Sequence, residues 1–328
     1  MKIAITGSIA TDHLMTFGGR FADSLVVEQL DKISLSFLAE DLQVRRGGVA
    51  ANIAFGMANL GQRPVLVGSV GEDFTDYRSW LQRHGVDCDS VHVSESLHTA
   101  RFICTTDTDM AQIATFYAGA MAEARDIELG PVAQRVGGLD LVVIGANDPV
   151  AMVRHSDECR SRRIPFAADP SQQLAFVDGD TIRQLIDGAE YLFTNEYESH
   201  LACQKTGWSP EELGEHVRVQ VTTRGKQGAT IRILGEEPFD VPIARELRKS
   251  DPTGVGDAFR AGFLTGLAEH LPPRRCAELG SMLATYVIET IGTQEYLLGK
   301  RQFLSRLADA YGDESAAEIE PHIQCPRP

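Results

Sequence analysis

The sequence contains no run of about 20 apolar residues, the length that a membrane-crossing helix needs. Its start, Met1-Lys-Ile-Ala-Ile-Thr-Gly7, reads as a strand rather than as a charged head leading into a long apolar segment. A soluble, cytoplasmic protein is therefore expected. Positive charge is scarce too: 31 Lys and Arg against 46 Asp and Glu leave a net charge of −15. This balance excludes the broad basic surface that nucleic acid or an anionic membrane requires, so neither is expected as a partner. A small anionic ligand would need its own local cluster of donors. The six cysteines, at positions 88, 104, 159, 203, 276 and 325, form no Cys-x-x-Cys pair and show no metal-like spacing to histidine. Reduced thiols fit that scatter. No internal repeat and no low-complexity linker divides the chain. Two phosphate-handling signatures are also missing: Gly225-Lys-Gln is not followed by a hydroxyl residue, and no His-Arg-Asp set occurs.

What is present is the alternation of an α/β protein. Ile3 to Thr6, Pro64 to Gly68, Leu139 to Gly145, Ile164 to Asp169, Glu190 to Asn195 and Val217 to Thr223 read as buried strands, with helix-length intervals between the later ones. The later strands end in polar clusters, Asn147-Asp148, Asp169-Pro-Ser-Gln-Gln173, Asn195-Glu-Tyr-Glu198 and Thr222-Thr-Arg-Gly225, which predicts one shared rim at the carboxyl end of a doubly wound sheet. Ala100 to Thr106 and Gln112 to Tyr117 read as a hairpin that cannot join a parallel sheet. The pattern predicts one domain over residues 1–312. Segments near 9–17, 34–46 and 98–118 would form a small β-sheet lid, and residues 313–328 a mobile tail.

The stretch with the most chemistry is Asp251-Pro-Thr-Gly-Val-Gly-Asp-Ala-Phe259, a glycine turn running into an apolar helix pattern. Glycines let consecutive N–H groups approach a ligand, and a helix start leaves its first amides unpaired and partly positive, which suits an anion. Asp257, in the first helical turn, could take a proton from a hydroxyl nucleophile. Read alone, the stretch fits a capped loop as well. The same holds elsewhere. Asp12 either meets a ligand at a strand end or caps a turn, and Gly47-Gly48 before Asn52 serve either close ligand approach or simple packing. Phe102 and Phe116 either face a ligand from the lid or belong to its core.

Four segments narrow these alternatives. Gly47-Gly-Val-Ala-Ala-Asn52, Asn195-Glu-Tyr-Glu198, Thr223-Arg-Gly-Lys-Gln-Gly228 and Asp251-Pro-Thr-Gly-Val-Gly-Asp257, in that order, resemble the ribokinase-like (PfkB-type) carbohydrate and nucleoside kinases from Ile3 to about Glu295. The resemblance implies that Asp257 is the catalytic base and that Gly254, Val255 and Gly256 form the anion hole. It implies ATP as phosphoryl donor over Asn195, Thr223, Gly225 and Gly228. Mg²⁺ would be held near Glu198, largely through water, and K⁺ is a further candidate cofactor. Ser8, Asp12, Ser36, Gly48 and Asn52 would hold sugar hydroxyls. Gly7-Ser-Ile-Ala-Thr-Asp-His-Leu-Met15, Asp107-Thr-Asp-Met-Ala-Gln-Ile-Ala114, Asp169-Pro-Ser-Gln-Gln173 and Gly292-Thr-Gln-Glu295 look most like the bacterial adenosine kinases of this family. By that likeness Phe102 and Phe116 would sandwich a purine, Gln172 and Gln173 would lie near the nucleoside, and the 5′-hydroxyl of adenosine would be phosphorylated. A ribokinase or another nucleoside or sugar kinase is the alternative, and a silent ligand sensor on the same fold is a weaker one. The exposed edge of the lid points to a homodimer.

Overall fold

A computed structural model describes residues 1–24 and 36–325. In chain order it begins with β1 (Ile3–Thr6), β2 (Ala10–Phe17), α1 (Phe21–Ser24), β3 (Ala39–Gly47), α2 (Val49–Asn59), β4 (Val65–Val70), α3 (Thr75–Arg83), β5 (Asp87–Val93), β6 (Ala100–Thr106) and β7 (Gln112–Tyr117). It continues with α4 (Leu129–Val136), β8 (Leu141–Gly145), α5 (Pro149–Arg162), β9 (Phe166–Asp169), α6 (Gly179–Ile186), β10 (Ala189–Asn195), α7 (Glu196–Thr206), α8 (Pro210–Glu215) and β11 (Val217–Thr223). The last elements are β12 (Ala229–Ile233), β13 (Phe239–Val241), α9 (Val255–Ala268), α10 (Pro273–Ile288), α11 (Lys300–Tyr311) and α12 (Asp313–Ile319).

The strands form two sheets. The large one runs β13-β12-β11-β10-β9-β8-β1-β4-β5, parallel from β5 to β11. Side chains alternate between its two faces, as a strand demands. Ile3 and Ile5 enter the core shared with α2, α9 and α10, while Ala4 enters the opposite core with Leu129, Ile182 and Ala202 of α4, α6 and α7. Strand order reverses at β1, which lies between β8 and β4, so the carboxyl end of β1 opens at the switch point where ligands bind in such sheets. This is the α/β architecture that the sequence predicts, with a large sheet flanked by helices and a smaller sheet apart from it. The strands at its ends were not legible in the sequence. β12 and β13 return antiparallel, because the Thr223–Gly228 segment turns as a hairpin that pairs Thr223 with Ala229.

The smaller sheet runs β3-β2-β6-β7. Its register sets Arg45, Asp12, Phe102 and Phe116 opposite one another in a single row across four strands. Residues 34 and 35 of the expected lid segment lie outside the described residues. The lid meets the large sheet at Gly48, which has φ 94°; a Cβ there would sit 2.6 Å from the Ala10 nitrogen and the Ser8 carbonyl oxygen. Only glycine lets α2 start this close to the strand connection.

The stretch after Gly312 corrects the expectation of a mobile tail. It forms α12 and a further turn at Glu320–His322. Ser315, Ile319 and Ile323 are buried in the core on the α9–α10 side, and Ser315 donates to Glu278 Oε2 at 2.5 Å. Two apolar side chains four residues apart were too weak a signal in so short and charged a segment. Truncating Ile319 to Ala should lower stability by about 2–5 kcal/mol, the cost of emptying a buried aliphatic site, in a denaturant melt. An unchanged midpoint would mean that the segment does not pack.

Candidate active site

The site forms where α2 and α9 begin. Gly254 caps α9 with φ 76°, and a Cβ there would lie 2.7 Å from Thr293 Cγ2, so both the turn and the fit need glycine. Among the described residues, no backbone carbonyl accepts from the amides of Gly254, Gly256 or Asp257, while the Val255 amide reaches the Pro252 carbonyl at 3.4 Å. Open donors at the positive end of a 14-residue helix suit an anion. The loop before it is tied down by Asp251, whose Oδ1 accepts from the Thr253 amide at 2.9 Å and whose Oδ2 accepts from the Gly292 amide at 3.2 Å.

Asp257 is the third residue of α9, and its Oδ2 accepts a hydrogen bond from Asn52 Nδ2 at 2.8 Å. Burial pushes its carboxyl up to about 6; the Asn52 amide and Arg260 oppose that rise, while Asp169 and Glu198 add to it. A carboxyl poised there is half ionised near pH 6 and carries its charge at pH 7, as a general base must. Arg260, one turn further along α9, is buried with its Nε 2.5 Å from Asp169 Oδ2 and its Nη2 3.9 Å from Glu198 Oε2. The sequence reading passed over Arg260. A charged residue in an apolar helix pattern was its only mark.

Asn195 and Glu198 form a capping box at the start of α7: Asn195 Oδ1 accepts from the Glu198 amide and Glu198 Oε2 accepts from the Asn195 amide, each at 2.8 Å. Part of the Asn-x-x-Glu pattern is therefore helix capping. Glu198 Oε1 is left facing the Ser171 hydroxyl at 3.5 Å. Asp169 is fully buried, and its Oδ1 has no hydrogen-bond partner among the described residues. No three His, Cys, Asp or Glu side chains cluster as a metal cage among those residues. Glu198, with Asp169 behind it, could help to hold a mostly hydrated Mg²⁺, which would supply charge neutralisation, rather than a fully protein-bound ion.

A cavity of about 320 Å³ adjoins the start of α9. Thr223, Gly225 and Gly228 line one side, and Val255 and Gly256 reach its floor. Ala244, Ala284 and Ile288 complete an apolar wall that the sequence reading missed; small residues on one face of α10 were its faint trace.

The remaining predicted residues divide. Asp12 lies in the lid row beside Arg45, with its carboxyl raised by burial and by Asp251 against the pull of Arg45. Phe102 and Phe116 are cross-strand neighbours on one face, and Phe116 is 54% exposed. They share one wall, so the expected arrangement with a base sandwiched between the two is corrected: they do not oppose each other across a gap. The Ser8 hydroxyl accepts from the Val49 amide at 3.0 Å and so helps to start α2. Gln172 is exposed and Gln173 half-buried in the turn beside Glu198, whereas Ser36 is exposed ahead of β3 and makes no contact with this cluster among the described hydrogen bonds. Carbon-13 NMR of labelled aspartate, assigned by the Asp257→Asn variant, should show the Asp257 carboxyl titrating near pH 6, and Asn52→Ala should raise that inflection. An inflection near 4 in the parent protein would refute the buried environment.

Known proteins resemble this chain in sequence and in fold. A model of the pfkB family of carbohydrate kinases matches residues 19–298. The nucleoside kinase of Methanothermobacter thermautotrophicus is 31% identical over 271 residues, 82% of this chain and 86% of that protein. The structure of Burkholderia thailandensis nucleoside kinase in complex with inosine superposes with a TM-score of 0.83 at 34% identity, covering 94% of this chain and 99% of that one. Thermotoga maritima ribokinase, at 19% identity and a TM-score of 0.75 over 94% of this chain and 99% of that one, shares the fold. Both glycine turns and the Asp257 site fall inside the matched span, and the chain belongs to the PfkB family of carbohydrate kinases, as a phosphotransferase with a ribokinase-like fold.

Proposed function

We propose that the protein is an ATP-dependent nucleoside kinase that phosphorylates the 5′-hydroxyl of a purine nucleoside, with adenosine as the expected acceptor. The observation that carries this reading is the lid row, which sets two aromatic rings beside an acidic residue on one face: Asp12 to accept from ribose hydroxyls, Phe102 and Phe116 to stack on a base. A sugar kinase has no use for an exposed aromatic wall next to its hydroxyl-binding carboxylate. The Methanothermobacter and Burkholderia proteins are nucleoside kinases, and the Burkholderia structure is a complex with inosine, so inosine is the acceptor against which adenosine must be compared.

In this reading ATP lies in the cavity by Thr223 and Gly225, with its γ-phosphate over the open amides of Gly254 and Gly256. Asp257, ionised at neutral pH, takes the proton of the acceptor hydroxyl as the phosphorus–oxygen bond forms, and ADP leaves. Arg260 keeps Asp169 and Glu198 from accumulating unbalanced negative charge beside the phosphates. Mg²⁺, held by Glu198 with Asp169 behind it, would supply charge neutralisation of the phosphate oxygens. These groups position and neutralise, which is what phosphoryl transfer asks of a protein.

ATP consumption across adenosine, inosine, guanosine, ribose and fructose tests the reading, and no turnover with any nucleoside would end it. Asp257→Asn should lower kcat by roughly 10²–10⁴-fold with KM little changed. Phe102→Ala and Phe116→Ala should raise KM for nucleosides while leaving any sugar turnover intact. Equal losses on every substrate would instead assign the two rings to the structure of the sheet.

We also propose a homodimer through the lid. Strand alternation puts Leu42, Val44 and Ile113 on the face away from Asp12 and Phe102, and all three are exposed. Sedimentation equilibrium should give twice the chain mass, and Val44→Lys should give the monomer. A monomeric parent protein would contradict this arrangement.

A further inference from the structure

Asn52 reaches Asp257 with the nitrogen end of its amide, and a chain of buried side chains behind it determines that choice. Trp80 Nε1–H can only donate, and it points at Gln294 Oε1, 3.2 Å away. With Oε1 so committed, Gln294 must present Nε2 on its other side. That nitrogen has two hydrogens and two acceptors, Asn52 Oδ1 at 3.0 Å and the Tyr77 hydroxyl oxygen at 2.5 Å. The Tyr77 hydroxyl passes its own hydrogen to the Gly47 carbonyl at 3.0 Å. Thr293 Oγ1 stands 2.9 Å from both Asn52 Oδ1 and the Arg46 carbonyl, so its single hydrogen serves one of the two and the Gln294 donor is the one that sets the Asn52 oxygen. The acceptor end of Asn52 is thereby turned away from the site, and Nδ2 is the only group it can offer Asp257 Oδ2 at 2.8 Å. Each donor in the chain meets an acceptor, and reversing any one amide would set two like groups face to face.

The first member of the chain is itself immobilised. The Trp80 ring stacks on Phe55 with centroids 5.8 Å apart, lies 4.3 Å from the His84 ring, and carries the Arg46 guanidinium 4.3 Å above its centroid. Gln294 and Asn52 are both buried, so no bulk solvent competes for their amides.

We propose that Trp80 and Gln294 are positioning residues for the catalytic base: they dictate which end of the Asn52 amide meets Asp257, so that one carboxylate oxygen is held by a donor and the other is left for the acceptor hydroxyl. The proposal rests on the reading of Asp257 as the base. It assigns a function to Gln294, in the Gly292-Thr-Gln-Glu295 segment, and to Trp80 of α3, neither of which touches a substrate in that reading.

Gln294→Glu replaces the donor that faces Asn52 with an acceptor. The Asn52 amide then turns its nitrogen toward the new carboxylate and its oxygen toward Asp257, which loses a charge-assisted hydrogen bond and meets a lone pair instead. Arg260 of α9, Asp169 of β9 and Glu198 of α7 also face Asp257 and are unchanged by this substitution. The acid limb of kcat/KM and the NMR inflection of Asp257 should both rise, by about one pH unit or more, with plateau turnover largely recovered above the shifted limb. Trp80→Phe adds no charge but frees Gln294 to reverse, and should move both readouts in the same direction by less. Gln294→Met, neutral and of similar volume, measures the loss of stability that packing alone would cause.

An acid limb that stays in place in Gln294→Glu and Trp80→Phe, with turnover reduced equally at every pH, overturns the proposal and leaves only a packing role. A shift in Gln294→Glu without one in Trp80→Phe also overturns it, because the added charge would then explain the change. Failure of the underlying reading looks different: Asp257→Asn would keep its turnover, whatever the other variants do.

Discussion

One hydrogen bond joins the two halves of the site. Asn52 and Asp257 stand 205 residues apart in sequence, one in the first turn of α2 and the other in the first turn of α9, and their 2.8 Å contact fixes the relative position of the two helix starts. Both starts are glycine turns with positive φ, at Gly48 and Gly254. The small residues that follow let α9 settle closely against its neighbours. A Cβ on Gly262 would lie 2.6 Å from the Cα of Gly280 in α10, so the helices meet backbone to backbone. Tight packing of this kind transmits small displacements, and it holds the first amides of α9 and the Asp257 carboxyl in a fixed relation to α10.

Electrostatics add a second constraint. In the proposed reading, a chain of net charge −15 must bring a polyphosphate to a place where Asp169 and Glu198 already raise the Asp257 carboxyl electrostatically. Arg260 is the local answer. It is buried among them and paired with Asp169 at 2.5 Å, and it opposes the rise in the Asp257 carboxyl that burial imposes. The open amides of α9 supply attraction without adding a mobile charge. A buried ion pair of this kind contributes little net stability, since desolvation offsets its attraction. In that reading, its place beside Asp257 and the first amides of α9 gives it a functional rather than a stabilising role.

Much of this was legible in the sequence, for a physical reason. Parallel strands buried on both faces read as apolar runs, so Leu141–Gly145, Ala189–Asn195 and Val217–Thr223 stood out, and glycine turns before apolar helices marked Gly48 and Gly254. The edge strands Asp87–Val93 and Phe239–Val241 carry mixed or short patterns and did not. Asn195 and Glu198 were read as a ligand pair, and the structure adds a capping box to that spacing. The sequence marked Asn52 and the Gly292-Thr-Gln-Glu295 segment, but not the chain that links them to Trp80. Gln294 stands 214 residues from Trp80 and 242 from Asn52, and a donor facing an acceptor is a property of folded geometry alone.

The central claim is that the start of α9 holds the transferring phosphoryl group while Asp257 faces the acceptor oxygen. A crystal structure with a nucleoside, ADP, Mg²⁺ and aluminium fluoride, a mimic of the phosphoryl group in flight, tests it most directly. The account predicts the fluoride over the amides of Gly254 and Gly256, with an Asp257 oxygen within about 2.6–3.2 Å of the nucleoside 5′-oxygen. A fluoride bound elsewhere, or an acceptor oxygen beyond reach of Asp257, would contradict it.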